Sequence, residues 1–561
     1  MERAEKQDPR WWPLLLLTIL IGIVFSPSLG NGFLHYDDSV YLTENPLVRS
    51  LSPTNIGRIF TTIQPHAIYV PLVTLSYALE YKIWKLNPFG YHLTNLILHI
   101  VNAFLVFILI SQLFSHYGVA FFTSLLFALH PLRVESVAWV TERKDLLFAL
   151  FMLLALLHYL GHLKKNSSVR YLLALGFFIA AILAKTTALV LPFLLILLDG
   201  VVERRISSRR WLEKIPFLLV MILLILITAA YSGDFTPQRS YHNYTAIAQN
   251  LLGAVPFYML RTIWPAGLAI RYPTDMRFFM PPLWLSLLLS LFLVSGSFFL
   301  FRRYRREWAW GWSFFLISLL PVFGLIWLHY PVADRYSYFP AIGLSFIFVS
   351  IPAIGLDRTG NRRSLLKPIL VGAGMVALAF LAVATFQRCR VWKNNLSLWN
   401  DVIRKYPMTP LALHNRGNAF TSLGRFDEAI RDYSESIRLL PDRAESYWNR
   451  ALAWSEKNNP GRAETDFSTA IRIDPVYFRQ YYRLQVALAG AEGLIATLDM
   501  GDRLAGTVQN AEIHATMAEV CVRMKKWTEA EDHLLKAIAL EPESAVHRHS
   551  LRVLQHQLRN Q

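Results

Sequence analysis

Long apolar runs recur from Trp11 to about residue 386 and then stop, while Arg, Glu and Asp crowd the chain after residue 394. A segment in contact with lipid must be apolar for about 20 residues, whereas a soluble helix keeps a charged face toward water. The two parts are therefore built for different solvents. The expected fold class is all-α: a polytopic membrane domain over 1–390, then a soluble helical domain over 394–561.

Apolar stretches near 11–29, 91–113, 117–131, 145–162, 170–184, 186–202, 214–231, 281–301, 308–328, 337–356 and 366–387 read as membrane spans, about eleven in all. The first has Arg3, Lys6 and Arg10 before it and no small-residue cleavage pattern after it, so it reads as a retained signal anchor. Four basic clusters set the orientation. They are His162/Lys164/Lys165/Arg170, Arg204/Arg205/Arg209/Arg210, Arg302/Arg303/Arg305/Arg306 and Arg358/Arg362/Arg363/Lys367. All four share one side if the N-terminus is cytoplasmic and residues 250–265 lie in the interface without crossing. The C-terminal part then lies on the external face. Two long loops, 30–90 with an amphipathic section Tyr69–Trp84 and 232–280, face the same way. The second carries Asp234, Tyr244, Arg261, Arg271, Tyr272 and Asp275.

The formal net charge of +17 invites a nucleic-acid partner. Many of the cations, however, fall in short groups between apolar segments, where anionic membrane lipid is the fitting partner. No nucleic-acid function is expected. Cys389 and Cys521 are the only cysteines, which supports neither a disulfide framework nor metal-ligand spacing.

Beyond residue 410 the chain repeats with a period of about 34 residues. Ala429, Tyr433 and Pro441 return as Ala463, Phe467 and Pro475, then as Ala530, Leu534 and Pro542. Gly417, Ala451 and Ala518 hold the close-packing position of each first helix, and the second interval leaves room for a degenerate unit at about 478–510. Small residues where helices touch, aromatics in the groove and proline after the second helix form the tetratricopeptide pattern. About four such repeats, the third degenerate, would bind a peptide or protein in a concave groove or pack on the membrane domain. His414, His514 and His533 are scattered and read as surface or packing residues.

Four external groups could carry chemistry. Asp37 and Asp38 follow the first span, and by themselves suit metal ligands, a general base or a solvated loop. His130, Arg133, Glu135, Glu142, Arg143, Lys144 and Asp145 lie between two apolar runs. That is costly at membrane depth unless they are paired or functional, although a wet loop with internal ion pairs would also hold them. Lys185 could snorkel from a helix hairpin or hold a lipid phosphate, and Arg335 is a candidate phosphate ligand. An acid pair and several cations at one face suit a lipid-phosphate-linked substrate: a base for the acceptor hydroxyl and cations for the leaving phosphate.

Tyr36-Asp37-Asp38, His130-Pro131, Glu135-Ser136-Val137-Ala138-Trp139, Glu142-Arg143-Lys144-Asp145, Lys185 and Asp334-Arg335-Tyr336 with Tyr338-Phe339-Pro340 occur in that order. Followed by tetratricopeptide repeats, they resemble the transmembrane and tetratricopeptide-repeat-containing O-mannosyltransferases over nearly the whole chain. That resemblance implies a GT-C glycosyltransferase taking a hexose, mannose in the family, from a polyprenyl phosphate on the external face. The acceptors would be hydroxyl groups of an exported protein bound by the repeats. It also implies Asp37 as catalytic base with Asp38 its acidic neighbour, and Arg143, Lys144, Lys185 and Arg335 as donor-phosphate contacts. His130, Arg133, Glu135 and Asp145 would support them. Protein mannosyltransferases of this kind need no metal, whereas oligosaccharyltransferases of the superfamily use a divalent ion, and the acid pair fits either. The short repeat array suggests a compact bacterial version in the inner membrane with periplasmic repeats; a eukaryotic one would place them in the endoplasmic-reticulum lumen. The sequons Asn243-Tyr244-Thr245 and Asn395-Leu396-Ser397 lie on that side. A membrane-anchored scaffold recruiting partners through the repeats is the rival reading. A transporter fits less well, since the charges gather at one face and the spans show no internal repeat.

Overall fold

The computed structural model describes residues 11–63, 69–203, 207–231, 244–273, 288, 305–323, 332–357 and 366–559. Among the described residues there is no β-strand, and the chain divides into two compact units, Met1–Val402 and Ile403–Gln561. The division falls inside the helix Asn395–Lys405, so the segment after the last apolar run belongs with the membrane unit.

In the first unit, Trp12–Gly30, Pro88–Phe114, Val140–Lys165 and Pro368–Val391 are each long and apolar enough to cross a membrane. Tyr117–Leu129 and Pro131–Ala138 form a further apolar pair bent by 60°. Pro131 explains the bend. It has no N–H to continue the ladder, and His130 before it adopts extended φ/ψ of −80° and 135°. Ser168–Ala184, Thr186–Val202 and Ala341–Ala353 are apolar but shorter. At about 1.5 Å per residue, such pieces fall short of a 30 Å hydrocarbon core unless flanking turns complete them. The expected span at 281–301 lies outside the described residues apart from Leu288, as do Asp234, Asp275 and Asn243. The helix Tyr244–Ile263, interrupted by Pro256, is not among those apolar enough to cross.

Arg305–Leu319 and Ala341–Asp357 meet through Gly311 and Gly343; a Cβ on Gly343 would strike the Gly311 carbonyl and Phe315. Small residues let membrane helices approach backbone to backbone, where dispersion contacts substitute for the absent hydrophobic drive. Three of the basic clusters converge through described contacts. Arg209 Nη2 donates to Asn166 Oδ1 at 3.0 Å, Lys164 Nζ to the Gln112 carbonyl at 2.9 Å, and Arg306 Nη2 to the Leu113 carbonyl at 3.3 Å. They mark one end of the bundle. The helix Arg143–Lys165 carries Lys164 there and Arg143 at its other end, about 30 Å away.

The second unit is a run of helix pairs: Pro410–Ser422 with Phe426–Leu439, Ala444–Glu456 with Pro460–Ile473, and Ala511–Arg523 with Trp527–Leu540. Between them Val476–Ala505 is broken at Gly490, whose φ of +52° suits a residue without Cβ. Ala545–Arg559 closes the array. Gly417 shows why its position must be small, since a Cβ there would meet the Tyr433 ring. Trp448, Phe467, Phe478, Tyr481, Met517 and Cys521 belong to its buried core. His414 is buried against Ser446 Oγ at 3.0 Å, and His514 and His533 meet at 3.2 Å, so all three are packing residues.

Candidate functional site

The loop after the first apolar helix turns back at Leu34 and carries both aspartates. Asp38 is 1% exposed. Its Oδ2 accepts from the Leu34 amide at 2.8 Å, and its Oδ1 accepts from the Thr141 amide at 3.1 Å and from the Thr141 hydroxyl. Burial pushes the Asp38 carboxyl up to about 6, opposed by those hydrogen bonds and assisted by Asp37. Asp38, expected as the acidic neighbour of the base, therefore ties the first loop to the segment before Arg143. Asp37 is half-buried and acts electrostatically on Tyr41 and Lys144.

Around Arg335 the charges form a row. Glu135 accepts from the Arg335 amide at 3.2 Å and from its guanidinium. Glu142 lies 3.5 Å from Arg335 Nε and 3.1 Å from Lys144 Nζ. Lys185 pairs with Asp145, which also accepts from Ser136 Oγ at 3.1 Å. Burial alone would lower the Arg335 pKa, but Glu135 beside it, with Tyr336 and Glu142, carries it well above the usual guanidinium value. The Trp139 ring lies between cations, 5.8 Å from Arg335 and 6.0 Å from Lys144. One cleft is bordered by Asp145, Lys185, Thr187, Arg335, Tyr336 and Tyr338, and another by Tyr41, Thr141 and Lys144.

The reading of 130–145 as a wet connecting loop is overturned: Arg133, Glu135, Ser136, Glu142, Arg143 and Asp145 are all 3% exposed or less. Short helices, Val134–Ala138 and then the start of Arg143–Lys165, replace the loop and hold these groups inside. Arg143, expected as a phosphate contact, is engaged within the protein. Its Nε donates to Asn95 Oδ1 at 2.9 Å, its Nη2 to the Tyr91 carbonyl at 2.8 Å, and its Nη1 pairs with Glu80. Tyr77 covers its face at 4.7 Å. This guanidinium is spent on joining three helices, and an anion would have to break that network to reach it.

The supporting residues are placed as scaffolding. His130 accepts from the Leu132 amide at 3.2 Å and meets the Thr262 carbonyl at 3.0 Å. Arg133 donates to the Ser337 carbonyl at 2.7 Å and to its Oγ at 2.9 Å, which clamps the turn carrying Arg335. Tyr258 grips the same turn at Ala333, and Tyr272 donates to Asp334. The sequence reading missed Glu80, Asn95 and Tyr258, because each meets its partner across 48 residues or more. Among the described residues no group of three or more His, Cys, Asp or Glu is arranged to hold a metal ion.

Residues 65–231 match the family described as dolichyl-phosphate-mannose-protein mannosyltransferase, and residues 417–458 match a tetratricopeptide repeat family. A protein O-mannosyl-transferase of Caenorhabditis elegans is 25% identical over 78% of this chain and 65% of its own length. The human protein O-mannosyl-transferase TMTC3 is 22% identical over 94% of this chain and 64% of its own length. Mouse protein O-mannosyl-transferase TMTC1 reaches 35% identity, over 28% of this chain and 18% of its own. The chain thus spans less than two thirds of the length of these curated relatives. The stretch that matches the mannosyltransferase family therefore precedes the stretch that matches the tetratricopeptide repeat family.

Proposed function

We propose that the protein is a membrane glycosyltransferase that moves a hexose, mannose by its relatives, from a polyprenyl phosphate to a serine or threonine hydroxyl of an exported protein. The observation that carries this reading is the grouping of Asp37 with Lys144, Arg335 and Lys185 at the end of the bundle away from the basic clusters.

In the reaction, the acceptor oxygen attacks the sugar's C1 and the Asp37 carboxylate takes the hydroxyl proton. The C1–O bond to the phosphate breaks, and the electron pair leaves with the polyprenyl phosphate. Lys144, Arg335 and Lys185 stabilise the charge that grows there, within a site whose cations are held in place before reaction by Glu142, Glu135 and Asp145. Arg143 contributes by rigidity alone. The repeats bind the acceptor chain.

The topology follows the same logic. With the clustered Arg and Lys ends cytoplasmic, Asp37, Lys144 and Arg335 face the external side, periplasmic in a bacterium, and the helix Tyr244–Ile263 lies in the interface. The test is turnover of a polyprenyl-phosphate-linked mannose with a serine- and threonine-rich peptide by the full chain in lipid nanodiscs. Transfer that disappears in Asp37→Asn, with insertion intact, supports the reading. Binding of partner proteins with neither donor binding nor turnover would establish a scaffold instead.

A further inference from the structure

The loop that carries Asp37 is anchored on its far side by the end of the last apolar helix and the residues that follow it. Gly32 N donates to the Lys393 carbonyl at 3.0 Å, and Asn31 Nδ2 to the Cys389 carbonyl at 3.2 Å. His35 N donates to Asn395 Oδ1 at 2.9 Å. Tyr36, next to Asp37, meets Trp399 edge-on at 5.6 Å and Trp139 at 5.6 Å, and Trp139 in turn meets Trp392 at 5.8 Å. The helix Asn395–Lys405, which bears Asn395 and Trp399, is itself fixed by the buried pair Arg388–Asp401. Trp392 and Trp399 are 1% and 2% exposed, so they are packing surfaces and not a sugar platform.

Asp38 pins one side of the loop to Thr141, the side that leads into the cation row. A single anchor would leave the backbone free to rotate about it. The second, at Asn395 and Trp399, removes that freedom and fixes the direction of the residue between them. We infer that Asn395 and Trp399 are positioning residues for the catalytic base: the junction that leads toward the repeats sets where the Asp37 carboxylate stands against the donor's C1. This rests on the assignment of Asp37 as base. It gives the sequon at Asn395 a structural use, because its side-chain oxygen is already engaged by the His35 amide.

Hydrogen bonds to an amide need only an acceptor, so Asn395→Asp keeps the anchor and Asn395→Leu removes it. In full-length protein in nanodiscs, Asn395→Leu should lower kcat about tenfold and Trp399→Ala about a hundredfold, with KM for the polyprenyl-phosphate mannose unchanged. Asn395→Asp and Trp399→Phe should restore most of the rate. Amide exchange over 32–38 should rise in the Leu variant and stay at the native level in the Asp variant. Loss of turnover in Asp37→Asn together with native kcat in Asn395→Leu overturns the positioning role alone. Native turnover in Asp37→Asn overturns the base assignment and this inference with it. Unchanged exchange at His35 in Asn395→Leu overturns the anchor whatever the rates are, and a parallel fall of kcat and folded protein in both Asn395 variants reduces the residue to a stability role.

Discussion

The two units hold their buried polar groups in opposite ways. In the membrane unit many partners are far apart in the chain, among them Asp38 with Thr141, Glu135 with Arg335 and Asn31 with Cys389, separated by 103, 200 and 358 residues. In the repeat unit they are near and periodic. Arg416 grips Asp432 through two bonds of 2.6 and 2.7 Å, and one period later Arg450 grips Asp466 at 2.8 and 2.8 Å, each pair 16 residues apart. A solenoid stacks neighbours, so its contacts are local and its stability is close to a sum over units. A bundle that encloses a site draws its walls from the whole chain, so each change there is felt globally.

The largest effect that could break this comparison is chemical. Asp37→Asn should cut transfer about a thousandfold while the protein inserts and folds as before. A fall in folded protein of the same size would place Asp37 with the scaffold. Arg335→Ala comes next. It leaves Glu135 buried without its partner, reduces Glu142 to Lys144 alone and should destabilise the membrane unit by about 3 kcal/mol, whereas Arg335→Lys keeps the charge and loses the fork. Detergent-resistance midpoints of the two variants, compared with donor KM, separate the structural loss from the loss of a phosphate ligand.

In the repeats, Asp466→Ala should cost about 2 kcal/mol, confined to the helices around Arg450, and leave donor binding untouched. Hydrogen exchange resolved by segment would show it, and a change at Arg335 would contradict the local character of the array. The smallest effect is a pH dependence. Burial, assisted by Arg443, holds the His414 ring down at about 3, and burial also lowers His514 and His533. The unfolded chain therefore binds protons that the folded repeats refuse. The stability present above pH 6.5 is lost as pH falls, by about 1 kcal/mol from His414 alone between pH 6.5 and 5.5. His414→Gln should flatten that slope in proteolysis or exchange measurements over 410–440.

Much of this was legible before any coordinates. The apolar runs locate the helices because lipid demands them, and Ala429, Ala463 and Ala530 reveal the repeat because packing demands small residues at a fixed interval. The charges of 130–145 could be singled out because charges between apolar runs are expensive, and Lys185 and Arg335 because they flank apolar runs, whereas Asp37 as base rests on the family resemblance. Glu80 and Asn95 could not: Glu80 is one polar residue on the amphipathic section Tyr69–Trp84, and Asn95 is one of several polar residues in the span 91–113, with His92, His99 and Asn102. Trp399 reads as one more aromatic in a helix that begins after the last apolar run.

By itself, the sequence determined the two-solvent division, the helical class, the repeat period and the set of charges that could meet. The tertiary structure decided how each charge is used. Arg143 and Lys144 are neighbours in the chain, yet one is sealed among Glu80, Asn95 and Tyr91, while the other borders a cleft and feels the charge of Asp37. Asp37 and Asp38 part in the same way. Desolvation and pairing depend on what arrives from hundreds of residues away, and no local pattern encodes that arrival.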